Sequence, residues 1–167
     1  MRLTSIAQIC LTLGLCLASA QAFADLGVIV VNESALPFEF SPSNFENSQA
    51  NFDNSIANFD NSSANFDNSE ANFDNSSANF DNGIGGKNRL LDIGGSPPQY
   101  VGYYVAAKNG TNNFFSPKGQ RLFYNPKKGR AIFGGQDGKF CGAIGEVNGA
   151  LRLGLTPRCA KQLVLSQ

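Results

Sequence analysis

The stretch TNNFFSPKGQRLFYNPKKGRAIFGG, Thr111–Gly135, holds three short apolar and aromatic runs separated by Pro-Lys-Gly and Pro-Lys-Lys-Gly. Aromatic and β-branched residues suit a pleated, half-buried surface, and Pro followed by Gly supplies the backbone angles of tight turns. The same alternation continues on both sides. YVGYYVAA (100–107) ends at Asn-Gly, RAIFG ends at GQDG, and KFCGAIGEV (139–147) ends at a second Asn-Gly. ALRLGLT (150–156) then sets Leu151, Leu153 and Leu155 against Arg152 and Gly154 with a period of two. Short strands joined by such turns predict an all-β domain, a small antiparallel meander. In TPRCAKQL (156–163), Thr stands as an N-cap and Pro at the first helical position, which predicts a short C-terminal helix. The closing LVLSQ (163–167) reads equally well as a last strand.

Cysteine usage fits an exported domain. The chain opens MRLTSIAQICLTLGLCLASAQAFADLG, with one basic residue, a mostly apolar run and a small-x-small Ala-Phe-Ala at 22–24. These are the parts of a secretory signal peptide over 1–24, with cleavage expected after Ala24. The apolar run is shorter than the about 20 residues a spanning helix needs. Leu15 before Cys16 does not suit a lipoprotein signal, and no later run is apolar enough for a membrane helix. The expected product is secreted or periplasmic. Cys10 and Cys16 leave with the signal, so Cys141 and Cys159 remain as a pair that an oxidising compartment would join. A bridge closing that loop contributes roughly 3 kcal/mol on the chain-entropy model.

Between the signal and the β-rich domain (84–167) lie a segment at 25–40 and a repeat at 41–83. NFDNSIANFDNSSANFDNSEANFDNSSANFDN, Asn51–Asn82, repeats every seven residues as S-x-A-N-F-D-N. Phe45, Phe52, Phe59, Phe66, Phe73 and Phe80 mark the period, with Phe38 one unit upstream. A coiled coil needs apolar residues alternating three and four apart, whereas Ala and Phe here fall on opposite sides of a helix. Asn, Asp and Ser also compete with helical backbone bonds through their own side chains. The unit ANFDN resembles a pentapeptide-repeat solenoid, but two further residues per unit break that register. No D-x-[DN]-x-[DN]-G calcium loop occurs. Ordering seven residues costs more backbone entropy than burial of one Phe and one Ala returns, so no unit folds alone. The expectation is a largely disordered arm carrying regularly spaced aromatic contacts. The alternative is a stack of S-x-A-N-F strands turned at D-N-S, formed on self-association.

Charge divides the chain. Asp25–Gly83 carries ten acidic residues and no Lys or Arg, while 84–167 has twelve Lys and Arg against three acids, a net of +9. Lys118, Arg121, Lys127, Lys128 and Arg130 fall on two consecutive turns around Phe123 and Tyr124. Cations interleaved with aromatics suit polyanions such as anionic envelope glycans, lipopolysaccharide or extracellular DNA. Nothing points to catalysis. The chain has no His, the commonest general base and metal ligand. GGQDGKF (134–140) lacks a phosphate-loop residue and has Phe140 where Ser or Thr would hold magnesium, so it reads as a hairpin turn. No catalytic, cofactor or metal residues are expected.

The heptads, followed by FFSPKG, FYNPKKG and GGQDGKFCG, resemble a group of exported bacterial proteins with N-S-x-x-N-[FY]-D-N repeats ahead of a small C-terminal domain. That resemblance implies the architecture and no activity. The reading that results is a non-enzymatic exported interaction protein, its acidic arm associating with itself or a partner and its basic domain meeting an anionic one. The alternatives are a small secreted enzyme or inhibitor tethered by the repeat, and a fibre-forming structural protein.

Overall fold

The structure is a computed structural model, and it describes residues 25–167; the expected signal peptide and its cleavage point lie outside the described residues. Eight strands form a closed barrel: β1 (Leu26–Val30), β2 (Arg89–Asp92), β3 (Gln99–Ala106), β4 (Asn112–Phe115), β5 (Arg121–Asn125), β6 (Ala131–Gly134), β7 (Phe140–Val147) and β8 (Ala150–Leu155). Each expected turn from Lys108 onward joins two antiparallel neighbours, including GQDG between β6 and β7. Helix α1 (Pro157–Leu165) follows, with Thr156 at its N-cap and Pro157 in its first turn. LVLSQ therefore continues the helix rather than adding a strand.

The meander is closed by a strand from the other end of the chain. The seven antiparallel strands β2–β8 leave both edges running the same way, so one strand can pair with both edges in the same sense. Strand β1 does this, pairing Leu26 with Leu90 of β2 and Val28 with Leu153 of β8. The segment at 25–40 is thus part of the barrel, and the β-rich domain does not stand alone at 84–167. Closure removes exposed sheet edges. It also demands sharp bends, which fall at glycines: Gly102 has φ +153°, and a Cβ there would sit 2.2 Å from the Phe115 carbonyl oxygen.

The interior is filled by Leu90, Tyr104, Phe114, Leu122, Ile132, Leu153 and Leu155, among others, and α1 packs against it through Cys159 and Leu163. Cys141 and Cys159 are bonded, tying β7 to α1. The space left against Tyr104, Phe114 and Ile144 is about 10 Å³, too small for a ligand. Every residue of β5 and β6 is buried, so these strands are covered on their outer face as well.

The cover is the repeat arm. Parallel strands cannot be joined by a tight turn and need a crossover of a dozen or more residues; here the arm is the crossover from β1 to β2. Where disorder is expected, the structure has an ordered chain of turns. Asn51, Asn65, Asn72 and Asn79 cap successive F-D-N 3-10 turns with φ between −75° and −72° and ψ between 121° and 125°. Each complete unit is two linked β-turns. In the unit from Ser48, the Asn51 N–H donates to the Ser48 carbonyl at 3.2 Å and the Asn54 N–H to the Asn51 carbonyl at 3.0 Å. Ser48 Oγ accepts from the Ala50 N–H and Asn51 Oδ1 from the Asp53 N–H, each at 3.1 Å. Ser and the first Asn are therefore required locally, as turn-forming side chains.

The second Asn does the remaining work. Asn54, Asn61, Asn68, Asn75 and Asn82 are at most 3% exposed. Each donates its side-chain amide to two carbonyls, six and eight residues back, as Asn68 does to Ser62 at 3.0 Å and Asp60 at 2.7 Å. The bond eight residues back laces each unit to the unit before it, and the bond six residues back closes the unit on its own Ser. The entropy argument fails because it assigns the buried position to Phe. Asn occupies that position, and the arm folds on a preformed surface rather than alone. Among the described residues the arm has no strands, so the stacked-strand alternative does not match it either.

Candidate interaction face

The arm's inner edge is read by the barrel unit by unit. Tyr124 Oη donates to the Asn54 carbonyl (2.8 Å), Arg121 Nη2 to that of Asn61 (2.9 Å), and Asn113 Nδ2 to Asn68 Oδ1 (2.9 Å). Tyr103 Oη donates to the Asn75 carbonyl (2.7 Å) and Tyr100 Oη to that of Asn82 (3.0 Å). Five consecutive units thus meet five donors from β3, β4 and β5. Leu36 and Ile56 add an apolar anchor against Tyr124, Ala131, Phe133 and Phe140.

With the Asn edge held inward, the Phe edge faces out. Phe38, Phe45, Phe52, Phe59, Phe66, Phe73 and Phe80 are 62–82% exposed. The similar cap angles at Asn44, Asn51, Asn65, Asn72 and Asn79 place the ring that follows each of them at an equivalent position, whereas Phe38 follows Pro37 at φ −54° and ψ 149°. Glu or Asp follows every one of these rings: Glu39, Glu46, Asp53, Asp60, Asp67, Asp74 and Asp81. Among the described residues none of those seven carboxylates is in an ion pair. Ser, Ala and both Asn positions have local explanations, whereas nothing in the fold explains Phe at the outer position. The arm's Phe residues expected to associate therefore lie together on one exposed surface.

The basic residues expected to form one polyanion site are dispersed. Lys118 is exposed and its Nζ donates to the Gln167 carbonyl. Arg121 is 4% exposed: its Nε donates to Asn113 Oδ1 at 2.7 Å, and its guanidinium lies 5.1 Å from the Tyr124 ring centroid. It belongs to the seam because a register shift in the β4–β5 pairing sets it opposite Phe115, on the same face as Tyr124 and under the arm. Burial lowers its pKa to about 10, so it remains charged at neutral pH. Lys127 and Lys128 are exposed, but they line a cleft of about 330 Å³ whose opposite wall is Glu46, Asp53 and Asp60 of the arm. Arg130 lies over the Phe40 ring, 5.5 Å from its centroid.

A site combining Tyr103, Tyr104 and Arg130 would suit an enzyme, but the three are separated. Tyr103 points into the seam, Tyr104 into the barrel, and Arg130 lies on Phe40. Among the described residues no cluster of three His, Cys, Asp or Glu is placed to hold a metal, and no helix is long and apolar enough to cross a membrane.

The seam makes a prediction about alkaline pH. Burial raises the Tyr103, Tyr104 and Tyr124 phenols well above their ordinary value near 10. Their contribution to stability is complete below about pH 10, the unfolded value, and is lost as pH rises toward the folded values. Arg121 acts in the opposite sense, its cost of burial easing above pH 10. Absorbance at 295 nm is expected to show phenolate from these three only together with loss of the circular dichroism signal. Ionisation of all four tyrosines near pH 10 with an intact spectrum would mean that neither the seam nor the barrel interior buries them.

No protein-family model, curated protein or solved structure matches the chain.

Proposed function

We propose that the protein is a non-enzymatic exported interaction protein whose recognition surface is the Phe row of the arm, with the barrel as its scaffold. The observation that carries this is the exposure of seven phenylalanines at the period of an ordered repeat. Large apolar side chains exposed in such number, at a cost in solubility, mark an interaction site. The Cys141–Cys159 bond suits an oxidising compartment. An anionic partner on the barrel is favoured less, because Arg121 is internal and Lys127 and Lys128 face the arm's own carboxylates.

Two measurements test this reading. The triple variant Phe66→Ser, Phe73→Ser, Phe80→Ser is expected to change stability by no more than about 0.5 kcal/mol per site in denaturant melts, as surface substitutions do. A loss of several kcal/mol would mean the rings hold the fold together instead. A photo-crosslinking residue at position 73, in protein made by its native cell, is expected to form discrete adducts. The same residue at exposed Gln136 on the β6–β7 turn is expected to form none. Adducts at neither position, or equally at both, would overturn the reading.

A further inference from the structure

We infer that the Phe–carboxylate row is a docking face for an arginine-rich polypeptide segment, an inference that rests on the row being the recognition surface. Three observations point to that partner. The first is charge. The arm from 41 to 83 has no Lys or Arg, and the carboxylates beside the rings have no ion-pair partner among the described residues. Lys127 and Lys128 stand opposite Glu46, Asp53 and Asp60 only, so the end carrying Asp67, Asp74 and Asp81 is unbalanced.

The second is the pairing of ring and carboxylate. A guanidinium can lie flat on an aromatic face and donate in-plane bonds to a carboxylate, which an ammonium does less well. The molecule contains the ring half of that contact just outside the row: Arg130 lies over Phe40, two residues beyond Phe38 and off the heptad period. Nothing covers Phe66, Phe73 and Phe80 in the same way. The third is periodicity. The buried Asn ladder fixes the spacing of the units, so the row offers the same pair repeatedly and in a set geometry. A polymer that presents guanidinium groups repeatedly would gain avidity from each added unit and pay little ordering cost on this side.

Other occupants fit less well. A second copy laid row against row would bring like charges together. A neutral glycan could stack on the rings, but it would desolvate the carboxylates without offering countercharge. An anionic membrane would be repelled.

The test titrates the purified protein into a fluorescently labelled nona-arginine peptide and reads anisotropy. At 50 mM salt nona-arginine is expected to bind at least tenfold more tightly than nona-lysine, and to lose at least tenfold in affinity at 500 mM salt. Phe66→Ser, Phe73→Ser, Phe80→Ser leaves the charge unchanged and is expected to weaken binding at least tenfold. Asp67→Asn, Asp74→Asn, Asp81→Asn is expected to do the same with the rings intact. Circular dichroism melts confirm that both variants are folded. Absence of nona-arginine binding at 50 mM salt would overturn the inference, as would equal affinity for the Phe variant. Binding of chitohexaose through the same three rings, with no binding of nona-arginine, would also overturn it while leaving the row as the recognition surface. Failure of the position-73 adducts would remove that surface itself.

Discussion

Replacing residues 41–83 with a Gly/Ser linker of about 15 residues, long enough to return the chain between parallel strands, is expected to abolish the folded barrel. Strands β5 and β6 are buried at every residue because the arm lies over one of their faces. Removing it exposes Tyr103, Phe115, Tyr124 and Phe133, all fully buried in the intact chain. At about 2 kcal/mol for each large apolar side chain, that surface accounts for roughly 8 kcal/mol. A small domain has only about 5–15 kcal/mol in total. Arg121 would also lose Asn61, and the Tyr103 and Tyr124 hydroxyls their carbonyl partners. The expected result is a chain that aggregates, or that binds a hydrophobic dye and melts without a cooperative transition. A monomer with a sharp melt and a stability within about 2 kcal/mol of the parent would show that the arm is an appendage. Variants that treat the repeat as a removable tether are thus expected to test folding rather than binding.

The hairpins were legible because each boundary carries its own chemistry: Asn-Gly, Pro-Lys-Gly, Pro-Lys-Lys-Gly and Asp-Gly are turn formers whatever surrounds them. Helix α1 was legible from Thr156 and Pro157 for the same reason. Closure was not, since β1 and β2 are five and four residues long and meet across the whole length of the arm. No local signal links Leu26 to Leu90. The order of the arm is hidden in the sequence because its buried residue is Asn, while Phe, the residue with the most apolar surface, faces out. Two clues to its order were nonetheless present. S-x-A-N and N-F-D-N each begin with a turn-forming side chain. The runs Phe114–Phe115, Leu122–Tyr124 and Ile132–Phe133 are apolar at consecutive positions, as in strands covered on both faces. Those strands needed a cover, and the arm was the available chain. Arg121 was grouped with Lys118, Lys127 and Lys128 by proximity in sequence, whereas its place on a strand between arm and barrel removes it from that surface.

The Asn ladder supplies the sharpest single-residue prediction. Asn68→Asp is nearly isosteric, so it changes hydrogen-bond character without opening a cavity. Asn68 is fully buried; its amide donates to the Asp60 and Ser62 carbonyls, and its Oδ1 accepts from Asn113. A carboxylate would keep the Asn113 bond but point a buried negative charge at two carbonyl oxygens, each short of one donor; the Asp60 carbonyl keeps Asn109 and Thr111, and the Ser62 carbonyl keeps the Asn65 N–H. Two lost hydrogen bonds and a desolvated charge facing carbonyl oxygens are expected to cost at least about 3 kcal/mol at pH 7. Burial raises the new carboxyl's pKa in the folded state, because folding then favours the neutral form. The penalty is therefore expected to shrink as pH falls below that raised value, where a protonated carboxyl can donate one of the two missing bonds. Asn68→Ala, which removes the same two bonds without adding a charge, is expected to be destabilising with no comparable pH dependence. Urea melts of both variants between pH 4 and 8 separate the two cases. If Asn68→Asp matches the parent at pH 7, the Asn side chains do not lace the units together, and the order of the arm must come from the barrel surface alone. If instead it falls by several kcal/mol and recovers toward pH 4, each heptad depends on the unit before it. The outward geometry of the Phe row then follows from the inward hydrogen bonds of Asn.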